Sequence, residues 1–256
     1  MRWINIGSAA VIISLCPITP TPFSELRAEP VIIKYEGPNR QSYKPGKKLA
    51  QTAKITLKAG ELLTVLDERG TRTLRGPGTF NASSAVSAGA ISNASLAGLI
   101  RTSSVRRART GAVRGEAPAQ QARLSPNLWF VDITKSARIC VPDFQNLQLW
   151  RSNTEDSQNT ITIANSSGSD ATVKFGKGSS VARWPSTLTP VAGARYTISA
   201  PGGLEKVSIE MVGVDVTGEE RLDTMALKLL DRGCQTQSEL LAATFAQKEA
   251  SPAGGQ

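Results

Sequence analysis

Cys140 and Cys234 are the residues of this chain best placed for covalent chemistry, and a third cysteine, Cys16, lies in an apolar stretch near the N-terminus. Removing that stretch leaves an even pair, the usage expected of an oxidising compartment, so a Cys140–Cys234 disulfide is expected. It would close a loop of about 95 residues, worth about 4 to 5 kcal/mol in the chain-entropy account. Other chemistries are limited by what the chain lacks. It contains no histidine, which removes Ser-His-Asp and Cys-His nucleophile systems, HExxH metalloproteases and imidazole metal sites. It also contains no GxSxG, P-loop, GxGxxG or CxxC pattern. Carboxylates remain, since a glycosidase needs only two. Asp132, Asp143, Glu155 and Asp156 are the acids in and near the second β region, and Glu155 and Asp156, inside NTEDSQN, read as a hydrated loop. No catalytic residue, cofactor or metal site is therefore expected, and a carboxylate hydrolase ranks third among the functional readings.

Two other residue groups suit binding. Trp129, Trp150, Trp184 and Tyr196 all fall in one β-rich region. Exposed on a β surface, Trp150, Trp184 and Tyr196 would stack on sugar rings. Packed inside, they would fill the core. Trp184 precedes Pro185, which puts it at a strand end and makes it the strongest ligand-binding candidate of the three. The second group is RTSSVRRARTGAVRG, with Arg101, Arg106, Arg107, Arg109 and Arg114 and no acid among them. Aromatic interleaving and a reading helix are both missing from it, so no nucleic-acid partner is expected. An anionic membrane surface would attract it at about 1 kcal/mol per arginine, and as a plain linker it would be kept open by like-charge repulsion.

Several elements position these residues. MRWINIGSAAVIISLC is a basic start followed by an apolar run too short to span a bilayer, which predicts a secretory signal over 1–28 with cleavage near Ala28. Leu15 stands before Cys16 where lipidation needs a small residue, so no lipid anchor is expected. Residues 29–82 form a small β domain in which Leu62 to Leu66 and Thr71 to Leu74 flank DERG, with Gly70 supplying a positive φ. Residues 83–125 are a basic Ala/Ser/Gly/Arg linker whose six arginines against one acid carry much of the chain's +9 charge. That leaves the two β regions nearer neutral, and AVSAGAISNASLAGLI within the linker is a weak helix former. Residues 126–216 hold about eight short strands at roughly ten-residue spacing, the pattern of an antiparallel β-sandwich. Over 217–247 a helical hairpin is predicted from capping boxes at Thr217–Glu220 and Thr236–Glu239 and a stop at Gly233. A disordered tail fills 248–256. The fold class is thus mainly β, with a small N-terminal β domain and a sandwich closed by the helical hairpin.

The stretch KITLKAGELLTVLDERGTRTLRGPGTF resembles the β repeats of FecR-type periplasmic domains, in which a strand, a Gly turn, an acidic hydrophobic strand and a second Gly turn recur. FecR-family proteins are bacterial envelope regulators that receive a signal in the periplasm and pass it across the membrane. This chain shows no cytoplasmic segment or internal membrane helix, so the resemblance implies reception without relay by this chain alone. More broadly, Leu149-Trp150-Arg151, Trp184-Pro185, Tyr196 and Gly233-Cys234 resemble a pattern of exported Gram-negative proteins. The expected function is a non-enzymatic periplasmic interaction or sensory protein with an envelope protein partner. The alternative is a periplasmic glycan-binding module.

Overall fold

Alternation of apolar and polar side chains sets the strands of the N-terminal region. The computed structural model of the chain describes residues 29–82, 93–100, 124–154, 159–200, 206–216 and 221–246. Strands β1 (Val31–Glu36), β2 (Lys54–Leu57), β3 (Leu62–Asp67), β4 (Gly70–Arg75) and β5 (Gly78–Asn81) form two sheets, ordered β1-β3-β4 and β2-β5. The β3-β4 hairpin turns through Glu68 and Arg69, and Gly70 has the anticipated positive φ, 129°. The Asp67 carboxylate accepts the Arg69 backbone N–H at 2.8 Å and pairs with its guanidinium at 3.1 Å, which fixes the turn.

The β1-β3-β4 sheet is covered on both faces. Ile32, Leu63, Val65 and Leu74 pack with Ile55 and Leu57 of the smaller sheet. Val31, Ile33 and Leu66 belong to a different core, described below. A register shift between Ile32 and Lys34 lets three consecutive residues, Val31 to Ile33, all be buried. Arg72 lies among the Ile32 group, paired opposite Val65, and donates to the Ala82 carbonyl. Burial pushes its guanidinium pKa down, an effect that Asp67 opposes.

The second region holds β6 (Val131–Asp132), β7 (Ala137–Val141), β8 (Gln148–Trp150), β9 (Thr160–Asn165), β10 (Asp170–Lys174), β11 (Val181–Arg183), β12 (Arg195–Ser199) and β13 (Val207–Gly213). They make a five-stranded sheet, β10-β9-β12-β13-β7, and a three-stranded sheet, β11-β8-β6. Val131, Ile139, Leu149, Ile163, Tyr196 and Ile209 are among the residues of their common core. The chain is mainly β, as expected. It is not purely antiparallel, because β7 runs parallel to β13 and β6 parallel to β8. The entering chain runs along one sheet as β6 and transfers to the other as β7, so it meets both without reversing. Burial alternation reports which face a residue takes and not the direction of its neighbour, which is why the sequence pattern missed this.

Three helices complete the described structure: α1 (Asn93–Ile100), α2 (Leu222–Asp231) and α3 (Gln235–Thr244). Gly233, at φ 76°, ends α2 with its own N–H on the Leu230 carbonyl and that of Cys234 on the Leu229 carbonyl. The Thr236–Glu239 capping box is not formed. The glycine turn makes Cys234 the N-cap of α3, which places Thr236 inside the helix with its hydroxyl unpartnered. Thr217 and Glu220 lie outside the described residues, as do the predicted signal, the five arginines and the tail. Arg221 precedes α2 and chelates Asp223 in its first turn at 3.1 and 3.0 Å, where the carboxylate also suits the helix dipole.

The hairpin was expected to close the sandwich. It does meet the sandwich, through α3 against β7, and it also packs on the N-terminal sheet, with α2 against β1 and β3 and α3 against β1 and β4. Their shared core joins Val31, Ile33 and Leu66 to Leu99, Trp129, Met225 and Leu241. The charge is also unevenly divided. Residues 29–82 carry ten Lys and Arg against five acids, whereas 126–256 carry twelve against fourteen. The N-terminal β region is therefore strongly basic, a correction to the near-neutral expectation.

Candidate functional site: a cleft at the three-way joint

The joint is fastened by one covalent bond and two amide side chains. Cys140 of β7 and Cys234 at the head of α3 form the expected disulfide, with Cα atoms 5.8 Å apart. Gln237, one turn into α3 and buried, donates to the Leu128 carbonyl at 2.8 Å and to the Cys140 carbonyl at 2.9 Å, and accepts the Cys140 N–H at 2.6 Å. Every hydrogen-bonding group of its amide is thus used, which favours burial. Gln235 ties the same helix to β1 by donating to the Ile33 carbonyl at 2.9 Å. On the other side, the Trp129 indole donates to the Ile100 carbonyl at 2.8 Å and fastens α1.

Beside α3 these parts leave a cleft of about 560 Å³, the size of a small-molecule site. Its first wall is the β1-β3-β4 sheet, where Lys34, Thr64 and Thr73 stand in one cross-strand row and Thr71 sits beside them. Its second wall is the sandwich, with Phe130, Asp132, Lys135, Ile139, Trp150 and Ser152. α3 contributes Thr236, Glu239, Leu240 and Ala243, and Leu124 stands among the lining residues, 52% exposed. The charges balance, two lysines against two acids. Lys34 pairs with Glu36 at 2.8 Å, and this pairing, with a smaller contribution from Glu239, raises its pKa. Asp132 is committed to the N–H and hydroxyl of Thr134 at 2.9 and 2.6 Å. Two side-chain oxygens of the lining, Thr71 Oγ1 and Thr236 Oγ1, are buried without a hydrogen-bond partner.

The sequence-predicted aromatic residues are placed differently from a stacking platform. Trp184 and Tyr196 are 8% and 1% exposed and meet edge to face at 5.0 Å inside the sandwich core. Their polar tips hold the loop between them: the Trp184 indole donates to the Leu188 carbonyl at 2.6 Å, while the Tyr196 hydroxyl accepts the Val191 N–H and donates to the Thr189 carbonyl. A ring buried on both faces cannot stack on a sugar, so these two residues act in packing. Trp150 is also buried, at 5%, but it lines the cleft. Of the candidate acids, Asp143 caps its own turn through Gln145 and Asn146, and these bonds lower its pKa. Glu155 and Asp156 lie outside the described residues. Among the described residues there is no group of three metal-ligating side chains, and no helix is long and apolar enough to cross a membrane.

Sequence reasoning found the disulfide but missed the cleft. The one available signal was the run of alternate threonines, Thr64 on β3 and Thr71 and Thr73 on β4, which puts polar groups on a sheet face that must also carry Leu66. No family model, no curated protein and no solved structure matches this chain.

Proposed function

We propose that the chain is an extracytoplasmic interaction protein of the periplasm, non-catalytic, which receives a ligand or envelope partner in the cleft at its three-way joint. The observation that carries this reading is the joint itself. A disulfide and a fully bonded buried amide fix α3 to the sandwich, and Gln235 ties the same helix to β1, around a cavity whose lining is incompletely hydrogen-bonded. A disulfide between distant segments suits an oxidising compartment, and the N-terminal leader pattern and the FecR-like strands point the same way. A cleft bounded by two separately built β regions is also suited to sensing, because occupancy acts on both walls at once.

Photocross-linking in cells tests this. Leu124 and Val191 are the exposed large hydrophobic residues among those described, and only Leu124 lines the cleft. A benzophenone amino acid at Leu124 should give a covalent adduct in the periplasmic fraction, on a chain that begins after residue 16 and has no free thiol. The same probe at Val191 should give none. Adducts at neither position, or a full-length cytoplasmic chain with reduced cysteines, would sink the proposal.

A further inference from the structure

We infer that the cleft takes a neutral, polyhydroxylated ligand of the saccharide class, with the hydroxyls of Thr71 and Thr236 completing their hydrogen bonds on it. This rests on the cleft being the receiving site proposed above. Three features define the ligand. First, two threonine hydroxyls sealed from water have no protein partner, an arrangement that folding disfavours unless a partner arrives. Rotation about χ1 to another staggered well moves Oγ1 without moving the backbone, and turning it toward the cleft is the rearrangement that binding requires. A hydroxyl both donates and accepts, which matches an alcohol better than a purely acidic or basic group.

Second, three main-chain N–H groups along the walls are already used. The Thr71 N–H goes to the Phe245 carbonyl, the Ile133 N–H to the Trp150 carbonyl and the Thr134 N–H to Asp132. An extended peptide adding to a strand edge needs such groups open, so side-chain hydroxyls remain the better-matched partners. Third, the two lysines and two acids cancel, so neither an anionic nor a cationic ligand is favoured. Phe130 and Trp150, both largely buried, contribute apolar atoms to the lining.

The mature, disulfide-bonded protein should be titrated calorimetrically with cellotriose, maltotriose and chitotriose, with trigalacturonate and an uncharged alanine-rich nonapeptide as comparison probes. At least one neutral trisaccharide should bind, more tightly than either comparison probe. Thr71→Val and Thr236→Val should each weaken it about tenfold, the loss of one neutral hydrogen bond, while the melting temperature holds or rises because an unpaired polar group has been removed. Unchanged affinity in both valine variants would show the hydroxyls to be packing defects and overturn the inference. So would tighter binding of the acidic sugar or the peptide, or silence from all the neutral sugars. If the sugars are silent while Leu124 still cross-links, the ligand class falls and the receiving cleft stands. If both are silent, both fall.

Discussion

The sandwich core and the joint core are built from opposite materials. The sandwich core draws all its residues from one continuous run, Val131 to Met211. The joint core gathers β1, β3, α1, the Leu128–Trp129 turn, β7 and both C-terminal helices, from Val31 to Phe245. Contacts between near neighbours cost little loop entropy to close, whereas contacts across the whole chain cost more. The difference teaches where this protein needs fastening. The disulfide, at a sequence separation of 94, and the long-range bonds of Gln235 and Gln237 all fall in the joint. The aromatic tips of the sandwich tie only loops within their own region.

The sharpest way to break that contrast is to remove the disulfide. Cys140→Ala with Cys234→Ala should cost about 4 kcal/mol, the entropy of opening a loop of this length. Amide exchange should show β1, α2 and α3 losing protection first, while β9, β10 and β12 keep theirs. Simultaneous loss in both regions would mean that the two cores form one cooperative unit and that their separation is only geometric. Within the sandwich, Trp184→Phe should cost less, about 1 to 2 kcal/mol, from lost volume and the missing bond to the Leu188 carbonyl. Faster exchange should then be confined to the segment from Leu188 to Tyr196. Spread of the effect to α3 would show that the joint leans on the sandwich more than its contacts suggest.

The same contrast explains what was legible in the sequence. The short strands of the sandwich were readable because period-two burial is a local property, and residues such as Ile161, Ile163, Ala171 and Val173 carry it openly. The hairpin at Gly70, the stop at Gly233 and the cysteine pairing were readable for similar reasons, since turn chemistry and parity need no knowledge of the fold. The sheet transfer between β6 and β7 was not, because strand direction leaves no trace in a burial pattern. Nor was the cleft. Thr71, Thr236 and Trp150 come from three distant segments, and only the docking of α3 between the β regions brings them together. Thr236 was in fact misread as a cap, since its position relative to Glu239 fits that motif until the glycine turn shifts the helix start to Cys234.

Charge sharpens the comparison last, with the smallest effect on folding. From Gly37 to Gly60 there are six cations, Arg40, Lys44, Lys47, Lys48, Lys54 and Lys58, and no acid. The Tyr43 hydroxyl donates to the Thr56 carbonyl, which holds the loop against β2, and Lys54 and Lys58 flank Thr56 on that strand's exposed side. The folded N-terminal region therefore carries a basic segment of its own, separate in sequence from the arginine run at 101–114, whereas the region from 126 onward has a slight excess of acids. Replacing Lys44, Lys54 and Lys58 by Gln should change stability by no more than about 0.5 kcal/mol, as for most surface sites. It should weaken adsorption to phosphatidylglycerol vesicles, and the remaining binding should fall as salt shortens the screening length. Replacing Arg101, Arg106, Arg107, Arg109 and Arg114 instead gives the opposing arm. If the arginine variant alone loses adsorption, the folded face is a bystander and the linker is the anionic-surface contact. If the lysine variant loses as much, the N-terminal β region approaches the membrane with its basic side, and the charge-balanced sandwich is held away from it.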